Sequence, residues 1–162
     1  MLEIVKRMDE PELLTEKEAW QLLERMRVKA ILPNVPRITA CIAKVLKSEG
    51  LDEHASYQVQ LAVDEACANV VDHAYVGPEA GEMEVSCYRY EDAFLIVRVR
   101  DWGQGFDPAE VDEPDVCAPL EERPLGGLGL FLVRKVMDWV QFTCDPVAGN
   151  ELLMVKRLDV AE

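Results

Sequence analysis

The sequence predicts an α/β sandwich, a mixed sheet with helices on one face. Three observations carry that reading. Residues 54–75 repeat apolar side chains in steps of three and four, as a helix with one buried stripe does. Two strand-like runs follow, 83–90 and 94–100, and the second is apolar almost throughout, as a central strand would be. After a long acidic loop come another helix and two closing strands, all within 162 residues, a length suited to one domain with an added terminal element.

Taken in order, residues 1–15 carry charges and a proline and read as poorly structured. Thr15-Glu16-Lys17-Glu18 looks like a helix start, with Thr15 as N-cap and Glu18 at the capping-box position. Ala19, Leu22, Leu23 and Met26 follow at helical spacing. Residues 28–32 read as a short strand, Pro33 and Pro36 as a turn, and 38–47 as a helix that stops near Gly50. The helix over 54–75 buries Val59, Val63, Ala66, Cys67, Val70, Val71 and Ala74, and Gly77-Pro78 breaks the chain after it. Glu91-Asp92 turns between the two strands. Residues 107–124 hold four prolines and seven acidic residues, with no basic residue before Arg123, and read as a long lid-like loop. Gly126-Gly127-Leu128-Gly129 then opens a helix to about Trp139, and 140–144 and 152–158 close the sheet around the turn Ala148-Gly149-Asn150.

Composition narrows the function. Seventeen basic and 31 acidic residues give a net charge of −14, which argues against a phosphate-backbone binder and fits either plain solubility or a basic partner. Five cysteines, an odd number without a CxxC pair, argue against a disulfide framework or a zinc site. The start shows no signal-peptide pattern and no apolar run is long enough to span a membrane, so a cytoplasmic protein is expected.

Three segments carry chemistry. Glu65 and Asn69 are four apart and share one helix face, beside the apolar stripe. A carboxylate there can take a proton, and an amide oxygen can ligate a hard divalent ion. Asp101-Trp102-Gly103-Gln104-Gly105 stands at the end of the apolar strand, where α/β proteins bind ligands. Its glycines let backbone approach a flat ligand, and its carboxylate can accept from an exocyclic amine. Gly126, Gly127 and Gly129 lie at a helix N-terminus, whose free N–H groups favour phosphate. Each has a plainer reading by itself: a solvated helix face, a tight turn with a capping aspartate, a lid hinge. In this order they supply a metal ligand, an adenine acceptor and a phosphate cradle, an inventory for Mg-ATP.

The same order resembles the three nucleotide-binding boxes of the GHKL, or Bergerat-fold, ATPases. Residues 61–75, 126–133 and 149–156 are most similar to the anti-sigma-factor serine-kinase branch, over roughly residues 30–158. The resemblance implies a Bergerat-type, mostly antiparallel sheet and an ATP lid. By position, Glu65 resembles the general base that activates a serine hydroxyl, Asn69 the Mg2+ ligand, and Asp101 the adenine-reading carboxylate. Gly103 and Gly105 line the base pocket, and Gly126, Gly127 and Gly129 form the phosphate lid. The implied activity is phosphorylation of a STAS-domain anti-anti-sigma protein together with sequestration of a sigma factor, by a homodimer that touches neither nucleic acid nor membrane. The alternative is a nucleotide-gated binding module without transfer. The resemblance implies a kinase domain at 28–160 preceded by a helical extension, 1–27, that caps the sheet, mediates dimers or meets a partner. Relatives often carry a threonine near the adenine on the last strands; here Leu153 falls at that position with Asn150 nearby. His73 is one turn beyond Asn69, in reach of phosphates or lid, or simply a packed or surface imidazole. Trp102 is expected to pack against the pocket floor, and Lys156-Arg157 to lie in solvent.

Overall fold

In the computed structural model, which describes residues 2–6, 11–104 and 127–158, six strands and three helices follow one another. They are β1 (Leu2–Lys6), β2 (Gln21–Lys29), α1 (Asn34–Ser48), α2 (Glu53–Asn69), β3 (Glu82–Tyr90), β4 (Phe94–Asp101), α3 (Gly127–Val136), β5 (Trp139–Asp145) and β6 (Gly149–Arg157). The strands form one sheet in the order β1-β5-β6-β4-β3-β2. The α/β sandwich with helices on one face is as expected, but every pairing among the described strands is antiparallel, so the sheet is of one kind and not mixed.

Local sequence sets the helices. In α1, Val35, Ile38, Ile42 and Leu46 repeat at steps of three and four and are all buried. The helix ends on Gly50 at φ +79°, where Gly50 N–H bonds the Lys47 carbonyl and Leu51 N–H the Leu46 carbonyl, the closure that a left-handed glycine permits. Asp52 then caps α2 by accepting from Ala55 N–H at 2.7 Å. Buried Val59, Ala62, Val63, Ala66 and Cys67 turn α2 onto the sheet. A π-helical turn, Val70–Ala74, prolongs it and keeps Val70 and Ala74 in the core. Against these helices β3 presents Met83, Val85 and Cys87, and β4 presents Leu95, Val97 and Val99.

The N-terminal part departs from expectation. Residues 2–6 form β1, paired with β5, where the sequence reads as poorly structured. Thr15 caps no helix: its hydroxyl donates to the Glu12 carbonyl at the end of a short 3-10 turn, Glu12–Thr15. Residues read as helical over 19–26 mostly belong to the strand β2. The cause is a β-bulge between Leu22 and Glu24. It shifts the alternation by one residue, so Leu23, Met26 and Val28 all pack on the helix side, and the step from Leu23 to Met26 imitates a helical one. The opposite face of the sheet carries a second cluster in which Leu13 and Trp20 cover Tyr88, Tyr90, Ile96, Trp139, Leu153 and Val155. Trp20 holds this cover in place, its indole N–H on the Leu13 carbonyl at 2.9 Å and its ring 5.3 Å from that of Tyr88.

Helix α3 stops at Val136, and Trp139, expected near its end, instead begins β5. Lys156, expected in solvent, is buried and donates to the Val136 carbonyl at 2.7 Å, which ties β6 to the end of α3.

Candidate functional site

Asp101 ends β4 with Met83 of β3 on one side and Asn150 of β6 on the other. It is 7% exposed. Its Oδ1 accepts from Gly103 N–H and from the Asn150 amide, each at 2.9 Å. Among the described residues both donors go to Oδ1, which leaves Oδ2 for the cleft that Asp101 lines. Burial pushes the carboxyl above the usual aspartate range, while the bonds from Asn150 and Gly103 pull it back toward the ionised form.

The segment after Asp101 is stitched to the end of α2. Gln104 N–H donates to the Ala74 carbonyl at 2.7 Å, and its side-chain amide to the His73 carbonyl at 3.3 Å. These are carbonyls that a helix end leaves without an internal partner. Trp102 N–H donates to the Tyr75 hydroxyl at 3.1 Å, and that hydroxyl donates in turn to the Glu82 carbonyl. Gly103 sits so close that a Cβ on it would stand 1.9 Å from the Ala74 carbonyl oxygen. Its glycine character is therefore required by contact with the helix end as well as by any approach of a ligand.

Between α2, the sheet and α3 lies a small cleft that opens to solvent. Val99, Phe142 and Leu152 form its apolar floor around Asp101 and Asn150. Ala66, Asn69, Val70, His73 and Ala74 line one side, with Gln104 beside them, and Leu130 of α3 contributes from another. An apolar slot with one buried carboxylate at its base suits a flat heteroaromatic ring that carries an amino group.

Of the residues singled out in sequence, Asn69 and Asp101 meet in this cleft. Gly103 lies beside Asp101 and bonds its carboxylate. Glu65 stands one turn before Asn69, half-buried, and does not line the cleft. Burial, with a smaller contribution from neighbouring Asp64, raises its carboxyl above the usual glutamate range. Gly127 and Gly129 are in the first turn of α3. Gly105, Gly126 and the acidic loop lie outside the described residues. His73 is exposed and lines the cleft. Trp102 is not on the cleft floor: it lies under the guanidinium of Arg27, 4.3 Å from its ring, with that of Arg100 at 5.4 Å.

Leu153 also differs from expectation. The strand's alternation turns it to the opposite face, into the cluster around Trp20, and the cleft receives Leu152 and Asn150 instead. Sequence reasoning treated Asn150 as part of a turn. The signal it overlooked is that Gly149, at φ +95°, allows β6 to begin there and come so near the Asp101 backbone that a Cβ on Gly149 would stand 2.6 Å from its carbonyl oxygen.

Among the described residues no group of three or more His, Cys, Asp or Glu side chains could hold a metal. A single amide ligand such as Asn69 fits Mg2+ held largely by phosphates and water, and does not fit a cage made by protein alone.

The chain is similar to several known proteins. The family described as the histidine kinase-like ATPase domain matches residues 28–156. The serine-protein kinase RsbW of Halalkalibacterium halodurans is 43% identical over 104 residues, 62% of this chain and 61% of that protein. RsbW of Listeria monocytogenes is 36% identical over 122 residues, covering 73% of this chain and 76% of its own. RsbW of Bacillus cereus is 33% identical over 135 residues, 81% and 82%. In structure, the RsbU and RsbW domains of a Mycobacterium tuberculosis protein superpose with a TM-score of 0.61 at 16% identity. That match covers 85% of this chain and 33% of the other, and it speaks for the fold alone.

Proposed function

Because the chain belongs to the histidine kinase-like ATPase domain family, in the anti-sigma-factor serine-kinase branch of the Bergerat-fold ATPases, we propose that it is an ATP-dependent protein serine kinase and anti-sigma factor. Its substrate is a STAS-domain anti-anti-sigma protein, and its second partner is a sigma factor that it sequesters. The observation that carries the nucleotide part is Asp101, a buried carboxylate with one oxygen saturated by protein and the other left to the cleft.

In this reading Asp101 Oδ2 accepts from the exocyclic amine of adenine, and Val99, Phe142 and Leu152 exclude water around the ring. Gly103 and Gly105 shape the base pocket, while Gly126, Gly127 and Gly129 offer backbone N–H groups to the phosphates. Asn69, at the cleft wall, would hold Mg2+, which would neutralise charge on the transferred phosphoryl group. Glu65 accepts the proton of the attacking serine hydroxyl. The serine oxygen bonds to the γ-phosphorus as the bond to the β–γ bridging oxygen breaks, and ADP leaves. The raised pKa of Glu65 suits a base that must hold a proton transiently.

The expected boundary between a helical extension, 1–27, and a nucleotide-binding unit, 28–160, falls inside β2; β1 and β2 are strands of the same sheet that carries the cleft. The charge of −14 complements a basic, DNA-binding sigma factor. The working form is a cytoplasmic homodimer; among the described residues no helix is long and apolar enough to cross a membrane. A second reading, a nucleotide-gated module without transfer, draws on the position of Glu65 outside the cleft lining.

The deciding experiment is thermal unfolding of wild type and Asp101→Asn with and without Mg-ATP. Ligand at a hundredfold excess over its Kd stabilises the native state by about 2.7 kcal/mol. A shift in wild type that Asp101→Asn lacks supports the pocket, and equal shifts in both refute the adenine contact.

A further inference from the structure

Cys144 of β5 and Asn150 of β6 are partners across the strand register. The Cys144 thiol donates to Asn150 Oδ1 at 2.8 Å. On its other side the Asn150 amide nitrogen donates to Asp101 Oδ1 at 2.9 Å and to the Gly103 carbonyl at 3.1 Å. Chemistry fixes which way this amide is turned. A carboxylate and a carbonyl only accept, so the NH2 group must face them, and the amide oxygen is left facing β5. There it requires a donor, and the thiol is one. Asn150 is 4% exposed and both its amide hydrogens are committed, so it has no donor to offer a ligand itself.

We propose that Cys144 and Asn150 are positioning residues for nucleotide recognition: the thiol fixes the amide, and the amide clamps Asp101 Oδ1 and the Gly103 carbonyl so that Oδ2 faces the cleft. This rests on the reading of Asp101 as the adenine acceptor. It assigns a role to two side chains on the last hairpin, neither of which donates a hydrogen bond to the nucleotide. Swapping the donor ends of Asn150 would place its oxygen against a carboxylate, so the clamp has one stable setting. The hydrogen bond to Asp101 also favours its ionised form.

The test measures ADP affinity by calorimetry across pH for wild type, Asn150→Ala, Cys144→Ala, Cys144→Ser and Asp101→Asn. Asn150→Ala is expected to bind roughly tenfold more weakly, the scale of a lost bond to a charged group, with the acid limb of binding moved to higher pH because the carboxylate has lost a donor. Tyr75 at the cleft rim and His73 in its wall are present in wild type and variant alike, and the Cys144 variants report separately on the thiol, which loses its acceptor in Asn150→Ala. Cys144→Ala is expected to weaken binding about threefold and Cys144→Ser to restore it, since serine keeps a donor. Affinity and acid limb both unchanged in Asn150→Ala would overturn the proposal. Cys144→Ser binding as poorly as Cys144→Ala would overturn the role of the thiol as donor. If Asn150→Ala does not fold, the two Cys144 variants decide by themselves. Full affinity in Asp101→Asn would instead refute the adenine reading, which separates that failure from failure of the clamp.

Discussion

Replacing Gly103 with alanine tests whether the aspartate loop is held by the helix end. The new Cβ would stand 1.9 Å from the Ala74 carbonyl oxygen and 2.5 Å from its carbon, both backbone atoms that cannot swing aside. The loop must lift, and the 2.7 Å bond from Gln104 N–H to that carbonyl goes with it. Overpacking costs about 1–3 kcal/mol and the hydrogen bond about 1 kcal/mol, so a loss of about 2–4 kcal/mol is expected. Urea unfolding of the nucleotide-free protein reads this directly, as a midpoint lower by roughly 1–2 M at an m-value near 2 kcal/mol/M. Gly50→Ala is the control: nothing lies within 4 Å of its would-be Cβ, but its φ of +79° strains any side chain, at a cost of about 1 kcal/mol. The loss at Gly103 should exceed that at Gly50, and nucleotide affinity should fall only at Gly103. If Gly103→Ala unfolds within 0.5 kcal/mol of wild type, an extrapolation-limited difference, the close approach to Ala74 is wrong.

Three other variants probe separate parts. Glu65→Gln should abolish phosphoryl transfer to the STAS substrate while leaving ATP affinity unchanged; transfer at the wild-type rate would favour the binding-module reading. In wild type the transfer rate should fall as pH drops through the raised Glu65 pKa, because the base must be ionised, so this acid limb should sit above that of an ordinary glutamate in a pH–rate profile. Asn69→Ala should weaken nucleotide binding more in Mg2+ than in EDTA, and an equal loss in both titrations would remove the metal role. Trp20→Ala should cost about 3–5 kcal/mol of stability without changing ADP affinity, since it uncovers only the far face of the sheet; an unchanged unfolding midpoint would mean that residues 11–20 do not cover it.

What the sequence made legible follows from periodicity and punctuation. The stripe along α2 and the apolar run of β4 are long, regular signals; Asn69 was legible because it shares a helix face with Glu65 beside the first, and Asp101 because it ends the second. The strand β2 was not legible, because a bulge at Leu22 and Glu24 turned a period of two into something like a helical step. Strand β1 was hidden for another reason: it is five residues long, and its partner β5 lies near the other end of the chain. Leu153 was misplaced by one residue, which in a strand is the difference between the two faces. Asn150 was legible only as a turn residue near the adenine position, because a glycine and an asparagine together read as a turn, and only the sheet register brings the amide to Asp101.

Both edges of the sheet are made by the first 29 residues, β1 against β5 and β2 against β3. Leu2 pairs with Thr143, almost the length of the chain away. Closing the β1–β5 ladder therefore spans a long loop, and contacts over so long a loop form slowly. Without β1 the edge of the sheet would be β5, whose open ladder another strand could pair with. β1 thus acts as a clasp: it covers the edge that β5 would otherwise leave open for a neighbour to join.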